Sequence, residues 1–121
     1  MARILIIDDS PTEVHVFKTI LEKNSFEVLS ADNAEDGIAM TKKEKPDLVL
    51  MDVVMPGMNG FQATRALTKD PETSSIPIII VTTKDQETDR VWGLRQGAKD
   101  YISKPVSEDD LVSKIKTIIG G

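Results

Sequence analysis

The residues best suited to chemistry in this sequence are Asp8, Asp9 and Asp52, each of which closely follows a short apolar run. Two carboxylates held close together repel by up to about 4 kcal/mol at an effective dielectric constant near 20, so a cation is needed to offset them. Mg²⁺ prefers hard oxygen ligands and often combines one or two carboxylates with water and a phosphate. We therefore predict a Mg²⁺ site at these aspartates, completed by the main-chain carbonyl of Val54. The competing interpretation, in which each aspartate only caps a helix, suits one such residue better than three.

A carboxylate in such a site can also attack phosphorus and form an acyl phosphate, provided that positive groups neutralise the transferred oxygens. Thr82 and Lys104 follow two other apolar runs and offer a hydroxyl and an ammonium group for this purpose. An ordinary surface lysine paired with a carboxylate is the alternative interpretation of Lys104. Because Pro105 follows, the preceding peptide bond can be cis or trans, and the sequence does not decide between them.

The apolar runs that precede these residues are short, rich in β-branched side chains and without polar alternation. Such runs are typical of parallel strands covered on both faces. Ligands of open parallel sheets bind at the carboxyl ends of the strands, so we expect the residues named above to meet at one edge. The predicted strands are Ile4–Ile7, Val28–Ala31, Leu48–Met51, Ile76–Val81 and Tyr101–Ile102.

Signals for the starts of helices lie between the predicted strands. Ser10 and Glu13 form a predicted capping box before the first helix, with Pro at its first position. In the fourth helix we expect Val91 and Leu94 to point inward and Gly97 to lie just past the end. The predicted N-caps of the four later helices are Asn33, Asn59, Asp85 and Ser107.

Five strands alternating with five helices predict one α/β domain over residues 1–121, with a doubly wound parallel sheet and helices on both faces. The 121 residues are 40% hydrophobic and 29% charged, which is enough apolar material for one core. The net charge of −5 argues against direct binding to nucleic acid. The lack of cysteine excludes disulfides, and no apolar run approaches the ~20 residues of a membrane span. We expect a cytoplasmic monomer.

Several motifs resemble those of the response-regulator receiver family of two-component systems. They are Ile-Ile-Asp-Asp-Ser-Pro, Leu-Met-Asp-Val-Val-Met-Pro-Gly-Met-Asn-Gly, Ile-Val-Thr-Thr and Asp-Tyr-Ile-Ser-Lys-Pro, and the resemblance extends over nearly the whole chain. It implies a flavodoxin-like receiver fold in which Asp52 is phosphorylated from the phosphohistidine of a histidine kinase. It also implies that Asp8 and Asp9 bind Mg²⁺ together with Asp52. Thr82 and Lys104 would then contact the phosphoryl group.

The same resemblance implies a switch in which Thr82 moves toward the phosphate and Tyr101 rotates inward. This change would remodel a face made by helix four, strand five and helix five, where a downstream protein binds. The segments 60–68 and 82–92 are most similar to stand-alone regulators of type IV pilus twitching motility, which are relatives of the chemotaxis regulator. We therefore expect a phosphorylation-activated regulator that signals by protein contact in such a pathway. We expect no enzymatic activity other than the removal of its own phosphoryl group.

Two other functions remain as alternatives. A Mg²⁺-dependent phosphohydrolase would also form an aspartyl phosphate, but haloacid-dehalogenase-like enzymes carry Asp-x-Asp after the first strand, where this chain has Asp8-Asp9-Ser10. A phosphorylation-independent scaffold would bind its partners whether or not Asp52 is modified. Nucleotide binding is disfavoured because no glycine-rich loop follows the first strand.

Overall fold

The structure is a computed structural model that describes residues 1–120, so Gly121, the last residue of the predicted domain, lies outside it. Over residues 1–120 five strands alternate with five helices, as predicted. The elements are β1 (Arg3–Ile7), α1 (Pro11–Lys23), β2 (Glu27–Ala31), α2 (Ala34–Glu44), β3 (Leu48–Met51), α3 (Gly60–Lys69), β4 (Ile78–Thr82), α4 (Glu87–Arg95), β5 (Asp100–Ser103) and α5 (Glu108–Ile119). None of the helices in this range has the length and apolar character that crossing a membrane requires.

The strands form one parallel sheet in the order β2-β1-β3-β4-β5. The chain moves outward from β1 to β2, then crosses to β3 on the other side of β1 and continues away from it. In such doubly wound sheets the ligand site lies beyond the strand ends at the place where this direction reverses. The last residue of β1, Ile7, is paired with Ala31 of β2 and Met51 of β3, so these three strands end level with one another.

Both faces of the sheet are covered by helices, which explains why the strands lack polar alternation. Ile4 and Ile6 of β1 belong to a buried cluster with Phe17 of α1 and Leu111 of α5. The alternate residues Leu5 and Ile7 belong to a second cluster, which contains Ala34 of α2 and Leu67 of α3. The predicted doubly wound α/β architecture is therefore confirmed.

Four of the five predicted N-caps are confirmed. The side chains of Ser10, Asn33, Asn59 and Ser107 accept hydrogen bonds from the backbone N–H groups of Glu13, Asp36, Gln62 and Asp110, respectively. Asn59 and Gln62 form the complete reciprocal capping box. At the start of α1 the predicted capping box is only half formed. The Glu13 N–H donates to the Ser10 hydroxyl, but the Glu13 carboxylate lies toward Lys104, with Oε2 3.7 Å from the Lys104 Nζ.

The fourth helix departs from the prediction. Its N-cap is Gln86, not Asp85, because the Asp89 carboxylate accepts the Gln86 N–H at 3.3 Å and fixes the helix start one residue later. Val91 and Leu94 were expected to face inward but are 41% and 38% exposed. The buried residue of α4 is Gly93, so the side chains on either side of it are turned outward.

The fourth strand also begins later than predicted, at Ile78 instead of Ile76. The N–H of Ile76 bonds to the carbonyl of Thr73 in the turn that precedes the strand. Pro77 follows and has no N–H to contribute to a ladder. The strand therefore begins at Ile78 and extends through Thr82, one residue past the predicted end.

Candidate functional site

Backbone hydrogen bonds continue the sheet ladder just past the strand ends and fix the residues that leave it. Each bond holds the main chain of a predicted site residue against the neighbouring strand, so its side chain projects from a fixed backbone position. The bonds run from Asp8 N to Ala31 O (3.1 Å), from Asp52 N to Ile7 O (2.9 Å) and from Lys104 N to Thr82 O (2.8 Å).

The three predicted metal ligands meet at this edge. One carboxylate oxygen from each of Asp8, Asp9 and Asp52 lies within 4.8 Å of the other two. Asp8 and Asp52 are buried and Asp9 is exposed, so the cluster has an open side. Asp8 is held in place because its Oδ1 accepts the N–H of Ser10 at 2.9 Å. This set of hard oxygen donors fits Mg²⁺, which binds through one or two carboxylates and keeps several waters.

Lys104 brings a positive charge to the same cluster. Its Nζ donates a hydrogen bond to Asp8 Oδ2 at 3.0 Å and lies 3.8 Å from Asp52 Oδ1. The side chain is only 10% exposed, which excludes the alternative of an ordinary surface lysine. Burial lowers the pKa of the Lys104 ammonium, but the hydrogen bond to Asp8 and the charges of Asp52, Asp8 and Glu13 raise it, with a net increase. The Lys104–Pro105 peptide bond is cis.

The carboxyl group of Asp52 binds its proton more tightly than an ordinary aspartate does. Burial, followed by the negative charge of Asp8, raises the pKa of Asp52 to about 6, although the Lys104 ammonium and a bond from the Val53 N–H act in the opposite direction. A bound cation adjacent to the carboxylate would lower this pKa and favour the ionised form. Only that form is a nucleophile.

Gly60 is a site residue that the sequence reasoning missed. At the start of α3, a Cβ on Gly60 would overlap the main-chain carbonyl of Asp52, and the Gly60 N–H bonds to Val53 O at 2.9 Å. A side chain here would push the helix away from the loop that carries Asp52. The Asn59-Gly60 pair signals a turn in the sequence, but only the structure shows what the glycine avoids.

The two predicted switch residues are linked through the main chain of Lys84. Thr82 is fully buried at the end of β4, and its Oγ1 accepts the Lys84 N–H at 3.3 Å. The Oη of Tyr101 donates to the Lys84 carbonyl at 2.7 Å. The ring already lies inward with 4% exposure, which is the orientation that the implied switch would give it. Val54 is 59% exposed in the loop after β3, and the role of its carbonyl as a metal ligand stays a prediction.

Comparisons with known proteins identify the family. The family model for the response regulator receiver domain matches residues 4–116. The chain belongs to the response regulator receiver family. The receiver is 64% identical to Protein PilH of Pseudomonas aeruginosa over 121 residues, which is 100% of both chains. The prediction of a two-component response regulator is therefore confirmed.

Solved structures share the receiver fold. A CheY-like response regulator receiver domain protein from Methanospirillum hungatei has a TM-score of 0.92 and 34% identity, with 99% of this chain and 94% of that chain covered. The receiver domain of the sensor histidine kinase PA1611 from Pseudomonas aeruginosa has a TM-score of 0.91 and 26% identity, with 99% and 98% covered. That structure contains a magnesium ion coordinated in its active site cleft.

Proposed function

We propose that Asp52 accepts a phosphoryl group from the phosphohistidine of a histidine kinase and that the modified receiver then signals by contact with another protein. The observation that carries this proposal is a buried Asp52 carboxylate beside two other acids, with the Lys104 ammonium 3.8 Å away. A nucleophile, acidic metal ligands and a buried cation are the groups that phosphoryl transfer requires.

In this proposal Asp8, Asp9 and Asp52 hold Mg²⁺, together with the carbonyl of Val54. The bound ion would supply positive charge that offsets the repulsion among the carboxylates and the charge on the phosphoryl oxygens. The chemistry of the donor set supports this assignment, since all three side-chain ligands are carboxylates and one side of the cluster is open.

The transfer itself is a displacement at phosphorus. An Oδ of Asp52 forms a bond to phosphorus while the phosphorus–nitrogen bond of phosphohistidine breaks. The other ring nitrogen of the phosphohistidine carries a proton, so the electron pair that returns to the imidazole gives neutral histidine as the leaving group. Lys104 donates a hydrogen bond to one of the transferred oxygens. Thr82 donates to another, because its hydroxyl accepts from Lys84 and still has its own hydrogen to offer.

Movement of Thr82 toward the phosphoryl group would disturb the Lys84 main chain and, through it, the hydrogen bond of Tyr101. The surface of α4, β5 and α5 would change as a result, and we propose that a downstream protein binds there. The 64% identity to PilH supports a role in type IV pilus twitching motility. We further propose that residues 1–121 act as a single, monomeric receiver domain with no catalytic activity except hydrolysis of its own acyl phosphate.

The test is phosphorylation by a small acyl phosphate. Incubation with Mg²⁺ and acetyl phosphate should add one phosphoryl group, seen by intact-mass spectrometry and removed by hydroxylamine. Asp52→Asn should stay unlabelled, whereas Asp32→Asn, which removes an exposed carboxylate outside the cluster, should label like the wild type. Labelling of Asp52→Asn at the wild-type level would refute the assignment.

Two further results would favour the alternative functions. Repeated turnover of a phosphate monoester would indicate a phosphohydrolase. Partner binding that is unchanged in Asp52→Ala would indicate a phosphorylation-independent scaffold.

A further inference from the structure

Lys104 is shared between the phosphorylation site and a carboxylate outside it. Besides its contacts with Asp8 and Asp52, the Lys104 ammonium lies 3.7 Å from Oε2 of Glu13. The Glu13 side chain is 38% exposed, whereas Lys104 is 10% exposed. The ammonium group therefore has one partner on the solvent side and two partners inside the site.

The position of Glu13 is fixed by the helix that carries it. Ser10 caps α1 by accepting the N–H of Glu13, which places Glu13 in the first turn, beside the acidic cluster. One turn further along, the ring of Phe17 lies under the Lys104 ammonium, with its centroid 5.8 Å from Nζ. Helix α1 thus contacts Lys104 through two side chains, Glu13 and Phe17.

We propose that Glu13 is a positioning residue that restrains Lys104 and thereby slows the phosphorylation of Asp52. The inference rests on the proposed function, in which Lys104 binds an oxygen of the transferred phosphoryl group. To do so, the ammonium must turn toward that oxygen, and the Glu13 carboxylate, its ion-pair partner at 3.7 Å, attracts it toward the solvent side. The Glu13 carboxylate also repels the negatively charged phosphoryl group, so both effects act in the same direction.

The size of the effect follows from the exposure of Glu13. Solvent screens a carboxylate that is more than a third exposed, so its influence is smaller than that of a buried charge. We expect Glu13→Gln to be phosphorylated by acetyl phosphate about two to five times faster than the wild type at saturating Mg²⁺. The difference should shrink as the salt concentration rises, since screening weakens a charge near the surface.

Two matched variants separate contact from charge. Glu22→Gln removes the same charge from an exposed position near the other end of α1 and should leave the rate unchanged. Glu13→Asp keeps the negative charge in the first turn but is shorter by one methylene, so it withdraws from Lys104. It should be accelerated, but less than Glu13→Gln, because the repulsion between the retained carboxylate and the phosphoryl group remains. A wild-type rate in Glu13→Asp would show that charge alone acts, and would overturn the positioning role.

A second measurement needs neither metal nor phosphorylation. In the metal-free protein, the ¹³Cε resonance of Lys104 should move in Glu13→Gln and Glu13→Asp and stay in place in Glu22→Gln. If it stays in place in all three, the contact is absent in solution and the inference fails.

The two proposals can fail separately. A wild-type protein that is not phosphorylated at all contradicts the proposed function. A wild type that is phosphorylated at the same rate as Glu13→Gln contradicts only the restraint by Glu13.

Discussion

The chemistry of single residues in this receiver is dominated by the burial of Asp52. With 8% exposure beside a second buried acid, its carboxyl group has a pKa of about 6, well above the ordinary value for aspartate. The Lys104 ammonium offsets only part of this rise in the pKa. When no metal is bound, the folded protein thus retains the proton of Asp52 up to about pH 6, and the charged form predominates only above that pH.

This pKa predicts a specific pH dependence of stability. In the unfolded chain the pKa of Asp52 returns to about 3.9, so between about pH 4 and pH 6 the folded protein binds the extra proton. The contribution of Asp52 to the free energy of unfolding is complete below about pH 4 and is lost as pH rises through about 6. The loss amounts to at most about 3 kcal/mol. Asp52→Asn should therefore stabilise the metal-free protein more at pH 7 than at pH 4.5.

Urea unfolding of both proteins in the presence of a chelator measures this difference, since all other titrating groups are common to the two. A stability difference between Asp52→Asn and wild type that does not change with pH would contradict the raised pKa.

At the scale of elements, the contact between α4 and β5 determines where the Tyr101 ring lies. A Cβ on Gly93 would come within 2.9 Å of both Ile80 Cδ1 and Tyr101 Cδ2. Arg90 on the same helix donates to the Tyr101 carbonyl at 3.1 Å. The helix therefore packs on the tyrosine ring through Gly93, its one buried residue. Its apolar side chains Val91 and Leu94 are left at the surface, where we propose that a downstream protein binds.

Replacement of Gly93 by alanine should displace the Tyr101 ring. Burial, followed by the charges of Asp89 and Asp85, raises the pKa of Tyr101 to about 12. Tyr101 is the single tyrosine of the chain, so absorbance at alkaline pH reports it directly. In Gly93→Ala we expect the tyrosine pKa to fall toward about 10, measured by rapid pH jumps that precede unfolding.

Thr88→Ala serves as the control for this variant, because it truncates an exposed side chain of the same helix. Its tyrosine should titrate as in the wild type. An unchanged tyrosine pKa in Gly93→Ala would mean that the ring accommodates the methyl group without moving.

For the whole molecule, folding itself assembles the acidic cluster. Asp8 and Asp9 are separated from Asp52 by α1, β2, α2 and β3 in the chain, and the parallel sheet brings them together. A ligand that binds this cluster binds the folded state and not the unfolded chain. Stability is then linked to the Mg²⁺ concentration, even though most of the core lies away from the site.

Mg²⁺ should therefore raise the melting temperature. The gain in the free energy of unfolding follows RT ln(1 + [Mg²⁺]/Kd) and reaches about 2.7 kcal/mol at a hundred times Kd. Differential scanning calorimetry with Mg²⁺ or with a chelator measures it. Asp9→Asn, which removes the exposed carboxylate of the cluster, should reduce the shift, whereas Asp32→Asn should retain it. The absence of any Mg²⁺-dependent shift in the wild type would argue against the metal site.

The sequence by itself determined the order of the elements and the place of the site. Short unalternating apolar runs predict parallel strands, and side-chain caps such as Ser10 and Asn59 predict the helix starts because both depend on neighbours in the chain. The edge where Asp8, Asp52 and Lys104 meet follows from these elements, since the carboxyl ends of parallel strands share one edge.

Only the tertiary structure decided which side chains touch across the elements. The sequence pattern predicts that the Glu13 carboxylate completes a helix cap, but Lys104, which is distant in the chain, draws it away. The pattern also predicts Val91 and Leu94 inside, but α4 packs on the ring of Tyr101 through Gly93 and leaves both side chains exposed. Helical spacing tells which residues share a face. Whether that face is buried depends on the shape and charge of the surface against which the helix packs, and that surface exists only after the sheet has formed.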